Sequence, residues 1–385
     1  MTTTNRSWTV SAQQDVQYRV ETSFDILNPA NPALIDGEYG SRRLIVTDTT
    51  VDALYGDKIR AYAAANLTEH RIIVLPHGES SKRWTAVETV LEAIESFKLD
   101  RRREPVIAIG GGVLTDIVGF ACSIYRRNTP FVRVPTTLIG IVDASVGVKT
   151  GVNFQAGKNK IGTYFAASRS LLDTSFLASL DTRHVSNGLA EILKIALIKD
   201  RELFTLLEEH GAAALEGRFQ DHNDAEQAII DRAIAGMLEE LEPNLWEQTL
   251  ERLVDYGHSF SPTVEMKALP ELLHGEAVCL DMALTTAISV HRALVSAEQA
   301  RRIFTVMGKL GLPVTHPAMT VDNLLEGLAD TTRHRNGLQR LPLPVGIGSA
   351  VFVNDLGPAD ITAALDILTS TAGLEGSGQL EGAAA

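Results

Sequence analysis

An α/β N-terminal half followed by an all-α C-terminal half is the fold class the sequence predicts, and three observations predict it. Short β-branched apolar runs alternate with helical stretches over residues 1–175. Glycines and prolines punctuate the ends of those runs. Over residues 176–370 the pattern changes to long amphipathic stretches such as "NGLAEILKIALIKDRELFTLLEEHG", with apolar positions recurring every three or four residues. Strands alternating with helices call for a parallel sheet covered on both faces, because crossover helices pack on either side of it. Recurrence at three and four calls for helices. Residues 371–385, ending in "GLEGSGQLEGAAA", are small and polar enough to predict a disordered tail.

Taken in order, the first strand is "RRLIVTD" at 42–48, and its closing Asp48 can accept hydrogen bonds from a ribose diol. The second, "HRIIVLP" at 70–76, leads to "GESSK", which offers Glu79 and Lys82 beyond the strand end. The third, within "EPVIAIGGG" at 104–112, runs into Gly110, Gly111 and Gly112 and then a helix. Glycines let backbone N–H groups approach a pyrophosphate, and a helix N-terminus adds a favourable dipole. The triplet therefore reads as a phosphate cradle or as a tight strand-to-helix turn, and the half as a Rossmann-like nucleotide-binding domain. The fourth strand, within 130–137, ends in Thr136 and Thr137, which can bond a nucleotide or cap the next helix.

Residues 143–162, "DASVGVKTGVNFQAGKNKIG", hold Asp143, Lys149, Asn153, Lys158, Asn159 and Lys160 without a helical apolar stripe. They read as a flexible, glycine-bearing loop, either solvated or binding phosphate through its lysines, with Arg126 and Arg127 nearby in sequence. In the helical half, Glu191 and Lys194 interrupt an otherwise small and apolar segment, and His258 and His274 stand sixteen residues apart. Two imidazoles and a carboxylate suit a divalent cation with an open position. The Glu191 and Lys194 spacing equally suits an ordinary ion pair. Met237, Leu241, Glu247 and Asp255 approach His258 along what reads as one helical segment.

The chain has 385 residues, 45% of them hydrophobic, enough for two cores. Its net charge of −13 argues against a broad nucleic-acid surface, so a local basic cluster suggests focused attraction of a small anion. No apolar run reaches the roughly 18 residues that a membrane span needs, and the N-terminus lacks a signal profile, so no membrane partner and a cytoplasmic location are expected. Cys122 and Cys279 lie in apolar runs and are expected as buried thiols without a disulfide.

Six segments in order, "IGGGVLTDIVGFACSIYRR", "VPTTLIGIVDASVGVKTGVN", "GKNKIGTY", "NGLAEILK", "YGHSFSP" and "HGEAV", resemble the sugar phosphate cyclases, the family of dehydroquinate synthase. The likeness spans about residues 40 to 360 and implies a dehydroquinate synthase-like fold, usually a homodimer, with NAD and a divalent metal, zinc or cobalt, between its domains. It implies Glu191, His258 and His274 as metal ligands. It sets NAD against Asp48, Glu79, Lys82, Gly111, Gly112, Asp116, Thr136, Thr137, Asp143, Lys149 and Lys158. Lys149, Asn159 and Lys194 would face substrate, with Arg127 reaching phosphate across the dimer. The implied reaction takes a hydride from a secondary alcohol, eliminates phosphate, returns the hydride and closes a carbocycle by intramolecular aldol addition.

Dehydroquinate synthase reads RxxLNxGHTFGHAIE where this chain reads "ERLVDYGHSFSPTVE". Glu251, Asp255 and Pro262 thus stand at the Arg, Asn and second His, and Met237 stands at a substrate-binding lysine. Two acidic residues where a carboxylate should bind disfavour a carboxylated substrate. Sedoheptulose 7-phosphate, with its neutral polyol tail, is the expected sugar phosphate. Leu241, Asp255 and His334 resemble the valiolone-forming branch rather than the gadusol-type branch. Val345 replaces a lysine of relatives, and the basic "TTRHRNGLQR" either closes on phosphate or is solvated. A metal- and NAD-dependent alcohol dehydrogenase is the rival reading.

Overall fold

The computed structural model describes residues 7–35, 40–155 and 157–375. Strands β1 (Arg19–Thr22), β2 (Arg42–Asp48), β3 (Glu69–Leu75), β4 (Val106–Gly110) and β5 (Phe131–Pro135) are followed by a hairpin, β6 (Lys149–Phe154) and β7 (Gly157–Tyr164), and by β8 (Arg169–Leu172). Six of them form a parallel sheet in the order β1-β8-β5-β4-β2-β3. Both of its faces are buried, and alternation assigns the side chains. Leu44, Val46, Val106 and Ala108 enter one core with helices α2 (Trp84–Phe97) and α3 (Gly112–Ile124). Ile45, Ile107, Ile109, Val132 and Val134 enter the opposite core with α1 (Thr49–Asn66). A period of two over both faces gives continuous apolar runs, which is why these strands were legible.

After β2 the chain adds β3 on one side and then crosses to place β4 on the other. The sheet therefore reverses direction between β2 and β4, and the crevice beyond their C-terminal ends is where open α/β sheets bind ligands. Asp48 and Gly110 close those two strands.

The second half contains α4 (Thr182–Ile198), α5 (Arg201–Gly217), α6 (Asp224–Leu241), α7 (Ser261–Lys267), α8 (His274–His291), α9 (Ala297–Lys309), α10 (Val321–His334) and α11 (Pro358–Glu375). Helix α4 is buried from Val185 to Ile198 and α8 from Gly275 to Ser289. Helices apolar all round belong in a core, and these two are its axis. Burying each Leu, Ile, Val or Met side chain there contributes about 1.5–3 kcal/mol.

Four expectations require correction. The C-terminal half is not purely helical, since β9 (Leu341–Pro344) and β10 (Ala350–Val353) pair antiparallel. Residues 143–162 are no flexible loop: a π-helical turn at Gly140–Ala144 leads into the β6–β7 hairpin. Its glycines serve close approach, for a Cβ on Gly151 would stand 2.6 Å from the Ile161 carbonyl oxygen. Residues 237–258 are not one helix, because α6 ends at Leu241 and the chain continues through short 3-10 turns at Glu242–Asn244 and Leu253–Asp255. Pro243 lacks the N–H that another α-turn would need. Finally, 371–375 complete α11, while the remainder of the expected tail lies outside the described residues. Cys122 and Cys279 are buried free thiols. Among the described residues, no helix is long and apolar enough to cross a membrane.

Candidate active site

Glu191, His258 and His274 come together from three elements, with one ligand atom of each lying within 4.8 Å of the others. Glu191 projects from the buried helix α4, and its Oε1 is 3.7 Å from His258 Nε2 and 3.5 Å from His274 Nε2. That oxygen is buried and has no hydrogen-bond partner. Leaving a buried carboxylate oxygen unsatisfied costs several kcal/mol unless a cation takes it up. Two imidazoles and a carboxylate form a donor set suited to a divalent ion such as zinc, so the residues fit.

Each of these three side chains is held by its surroundings. Asp281, two turns along α8 from His274, accepts backbone N–H bonds from Ser259, Phe260 and Ser261 at 2.8, 2.6 and 2.9 Å. The loop that carries His258 is thereby tied to the helix that carries His274. Gly257 makes this possible, with a left-handed φ of 75° and a position where a Cβ would meet Val278 at 2.8 Å. His258 donates through Nδ1 to the Tyr256 carbonyl at 3.1 Å, which leaves Nε2 facing Glu191. Asn187, one turn before Glu191, accepts from the Gly275 N–H and joins α4 to the start of α8. His274 Nδ1 bonds Glu265 Oε2 at 2.9 Å.

Electrostatics keep the imidazole and carboxylate in ligand form. Burial, reinforced by the Lys194 ammonium, pushes His258 down to about 3. Burial opposes ionisation of Glu191, yet Lys194 and then His274 hold its carboxyl below the ordinary range. The Lys194 Nζ is 2.6 Å from Glu191 Oε2 and 3.7 Å from Asp143. Burial would strip its proton, but those two carboxylates raise its pKa.

The glycine turn lies next to this corner. Gly111 precedes α3 and Gly112 opens it, and a Cβ on Gly112 would stand 3.3 Å from Ala144, the neighbour of Asp143. A Cβ on Gly110 would lie 3.1 Å from Asp48 Oδ2. Asp48 itself caps α1 by accepting from Thr50 and Val51. Thr137 Oγ1 accepts from the Gly140 N–H, the capping role, and Thr136 is buried. Lys82, fully buried, donates 2.7 Å bonds to Asp116 and to Asn159 Oδ1. Glu79 accepts from Asn153 at 2.7 Å. Lys158 points toward the histidine corner, with its Nζ 2.5 Å from Glu265 Oε1 and 3.2 Å from His274 Nδ1.

The chain leading into His258 takes part in a network of charge. Asp255 is 2.5 Å from Arg252 and 3.1 Å from Arg335. Glu247 accepts from Tyr164 at 2.9 Å and pairs with both Arg252 and Lys149. The expected clustering of two uncompensated acidic groups is therefore corrected: Glu251 is exposed, and Asp255 is neutralised by two guanidinium groups. Arg127 is exposed in a left-handed turn, φ 59°, after α3. His334 is exposed at the end of α10, 3.7 Å from Asp330, whereas its buried neighbour Arg335 reaches Asp255.

Arg252, Arg335, Glu265 and Asp281 were missed by sequence reasoning. Asp281, an acidic residue amid "AVCLDMALTTA", carried a usable signal: an isolated carboxylate in a helix otherwise apolar all round.

Known proteins resemble this chain over nearly its whole length. The 3-dehydroquinate synthase N-terminal and C-terminal family descriptions match residues 72–187 and 188–334. The sequence is 54% identical to a 2-epi-5-epi-valiolone synthase of Actinomyces sp, over 96% of this chain and 99% of that protein. It is 38% identical to a demethyl-4-deoxygadusol synthase of Trichormus variabilis, over 93% of this chain and 89% of that protein. The structure superimposes on ValA, a 2-epi-5-epi-valiolone synthase of Streptomyces hygroscopicus subsp. jinggangensis solved with NAD+ and Zn2+, with a TM-score of 0.91 at 54% identity, covering 94% of this chain and 100% of that one. Matches that adjoin at residue 188 and together run from 72 to 334, with relatives alike over nearly the whole length, establish that this chain belongs to the 3-dehydroquinate synthase family.

Proposed function

We propose that the protein is a sugar phosphate cyclase that converts sedoheptulose 7-phosphate to 2-epi-5-epi-valiolone with release of phosphate, a carbon–oxygen lyase of C7-cyclitol biosynthesis. The observation that carries the reading is the buried Lys194, held between the Glu191 corner and Asp143 at the edge of the glycine turn. The 54% identity to valiolone synthases supports this choice of substrate over the gadusol branch at 38%.

When bound, NAD accepts and returns a hydride and the divalent cation polarises the reacting oxygens. Glu191, His258 and His274 hold the cation. Asp48, Gly111 and Gly112 line the dinucleotide crevice, with Glu79, Lys82, Asp116, Thr136 and Thr137 around it. Lys194, kept protonated by its two carboxylates, donates to the substrate oxygen that gains negative charge, and Asp143 takes part in returning that proton. Asp255 accepts hydrogen bonds from hydroxyls of the polyol tail without adding net charge, since Arg252 and Arg335 offset it. Lys149, Asn159, Arg127 and His334 face substrate, with Arg127 supplied across a homodimer to the phosphate. The protein works in the cytoplasm, as two domains meeting near residue 175.

Purified protein supplied with sedoheptulose 7-phosphate, NAD+ and Zn2+ or Co2+ tests the reading. Free phosphate should form without accumulating NADH, and NMR of the product should give the valiolone epimer. Accumulating NADH with phosphate retained would overturn the cyclase reading in favour of an alcohol dehydrogenase.

A further inference from the structure

Arg133 lies in the middle of β5, where every other residue is apolar, and is only 1% exposed. An arginine stays protonated in proteins, so a buried guanidinium must find oxygen partners. Among the described residues no carboxylate stands within ion-pair distance; carbonyls of one short segment take its place. Its Nη1 donates to the Ala144 and Gly147 carbonyls at 3.2 and 2.5 Å, and its Nη2 to the Lys149 carbonyl at 3.3 Å. The guanidinium also lies 5.1 Å from the centre of the Phe131 ring, which stacks on Phe165.

Residues 144–149 lead from the π-helical turn into β6, and buried carbonyls outside a helix or ladder need donors from elsewhere. Distant groups supply them. Tyr18 Oη donates to the Val146 carbonyl at 2.8 Å, and the Phe165 N–H to the Val148 carbonyl at 2.7 Å. With Arg133 added, the carbonyls of 144, 146, 147, 148 and 149 are all engaged. The N–H groups of Val146 and Gly147 in turn donate to the Asp143 carbonyl at 3.0 and 3.3 Å, which carries the hold back to Asp143. Both ends of the segment bear groups of the reaction: the Asp143 carboxylate is 3.7 Å from Lys194 Nζ, and Lys149 pairs with Glu247. At 3.7 Å no direct hydrogen bond fixes Asp143 to Lys194, so the backbone sets that separation.

We propose that Arg133 is a positioning residue for the reaction: through the backbone of 144–149 it holds Asp143 at its working distance from Lys194 and Lys149 on the substrate side. Tyr18 completes that hold from the N-terminal segment. Neither side chain touches the reacting atoms, and both act through the residues they set in place. A displacement of about 1 Å at a reacting group costs about 100-fold in rate, so the effect is kinetic. This inference rests on the reading that Asp143 and Lys149 serve a phosphate-releasing cyclase.

The test measures phosphate release from sedoheptulose 7-phosphate at saturating NAD+, together with zinc content, deuterium exchange of the 144–149 amides, and thermal melting as a check on folding. Arg133→Met should lower kcat about 100-fold, keep its zinc and exchange faster over 144–149. Arg133→Lys, which keeps the charge but not the planar fork, should recover part of that loss. Tyr18→Phe removes one bond to the same segment and should lower kcat about 3- to 10-fold. In an Asp143→Asn background, Arg133→Met or Tyr18→Phe should each cost less than about threefold further, because residues acting through one another are not additive. Full additivity there would make Arg133 merely structural and overturn the proposal. So would unchanged exchange over 144–149, loss of zinc in Arg133→Met, or kcat within about threefold of wild type in that variant, or in Tyr18→Phe should Arg133→Met fail to fold. Wild-type protein that releases no phosphate, with exchange still faster in Arg133→Met, would instead overturn the cyclase reading and leave the hold on 144–149 standing.

Discussion

Glu191 and Asp255 are both buried carboxylates, close enough that both act on the charge of Lys194, yet their surroundings differ. Asp255 is compensated twice, by Arg252 and Arg335. Glu191 has Lys194 beside one oxygen, while the other faces two imidazole nitrogens with no donor. Two cations on one carboxylate leave a hydrogen-bonding surface without excess negative charge. One cation and an orphaned oxygen leave a place that a metal completes. Asp281 is a third case, satisfied by three backbone N–H groups and acting through the loop it holds. The same carboxylate group thus stands in three different settings, half-satisfied, doubly paired or bonded by backbone N–H groups, and what compensates its charge decides what it can do.

Substitutions at these carboxylates should separate the three roles. Glu191→Gln should have the largest effect, lowering kcat/KM for phosphate release by about 1,000-fold or more and leaving protein purified from zinc medium without stoichiometric metal. Activity within tenfold of wild type would erase the distinction from Asp255. Asp255→Asn should cost about 10- to 100-fold, mainly in KM, with the metal retained, because it loses a charge-assisted partner for the polyol but no ligand. Metal loss there would show that the two carboxylates are not separate.

Asp281 gives a pH signature. Burial raises its carboxyl to about 6 from an ordinary 3.8, even against three backbone donors. The folded chain therefore binds more protons than the unfolded chain between those values, so this residue's contribution to stability falls as pH rises from about 4 to 6. Denaturant midpoints of Asp281→Asn should lack that slope, and curves parallel to wild type across the window would contradict it. The smallest change is expected for Tyr164→Phe. Its hydroxyl gives Glu247 one bond at 2.9 Å, worth about 1 kcal/mol, while Arg252 and Lys149 remain. KM should move by no more than a few-fold; a larger loss would mean that the phenol, and not the ion pairs, organises the network.

How much of this was legible in the sequence follows from the range of the interactions involved. Strands β2 to β5 declared themselves through Val and Ile runs, because a sheet buried on both faces demands them. Glu191 stood out as a carboxylate in an apolar helix. The hairpin did not, since its glycines signal flexibility unless the facing strand is known, and Gly151 lies against the Ile161 and Gly162 backbone. Arg335 and Glu265 were invisible for another reason: their partners are 80 and 107 residues away, and no local period encodes such a pairing. The charge argument at Glu251 erred locally. The 3-10 turn at Leu253–Asp255 sets Arg252 against Asp255 and leaves Glu251 in solvent.

The most direct test of the account is a crystal of the zinc-loaded protein with NAD+, diffracted across the zinc edge. An anomalous peak about 2.0–2.2 Å from Glu191 Oε1, His258 Nε2 and His274 Nε2 is the expected result. A peak on other residues, or zinc-saturated protein in which those three side chains stand apart, would contradict it.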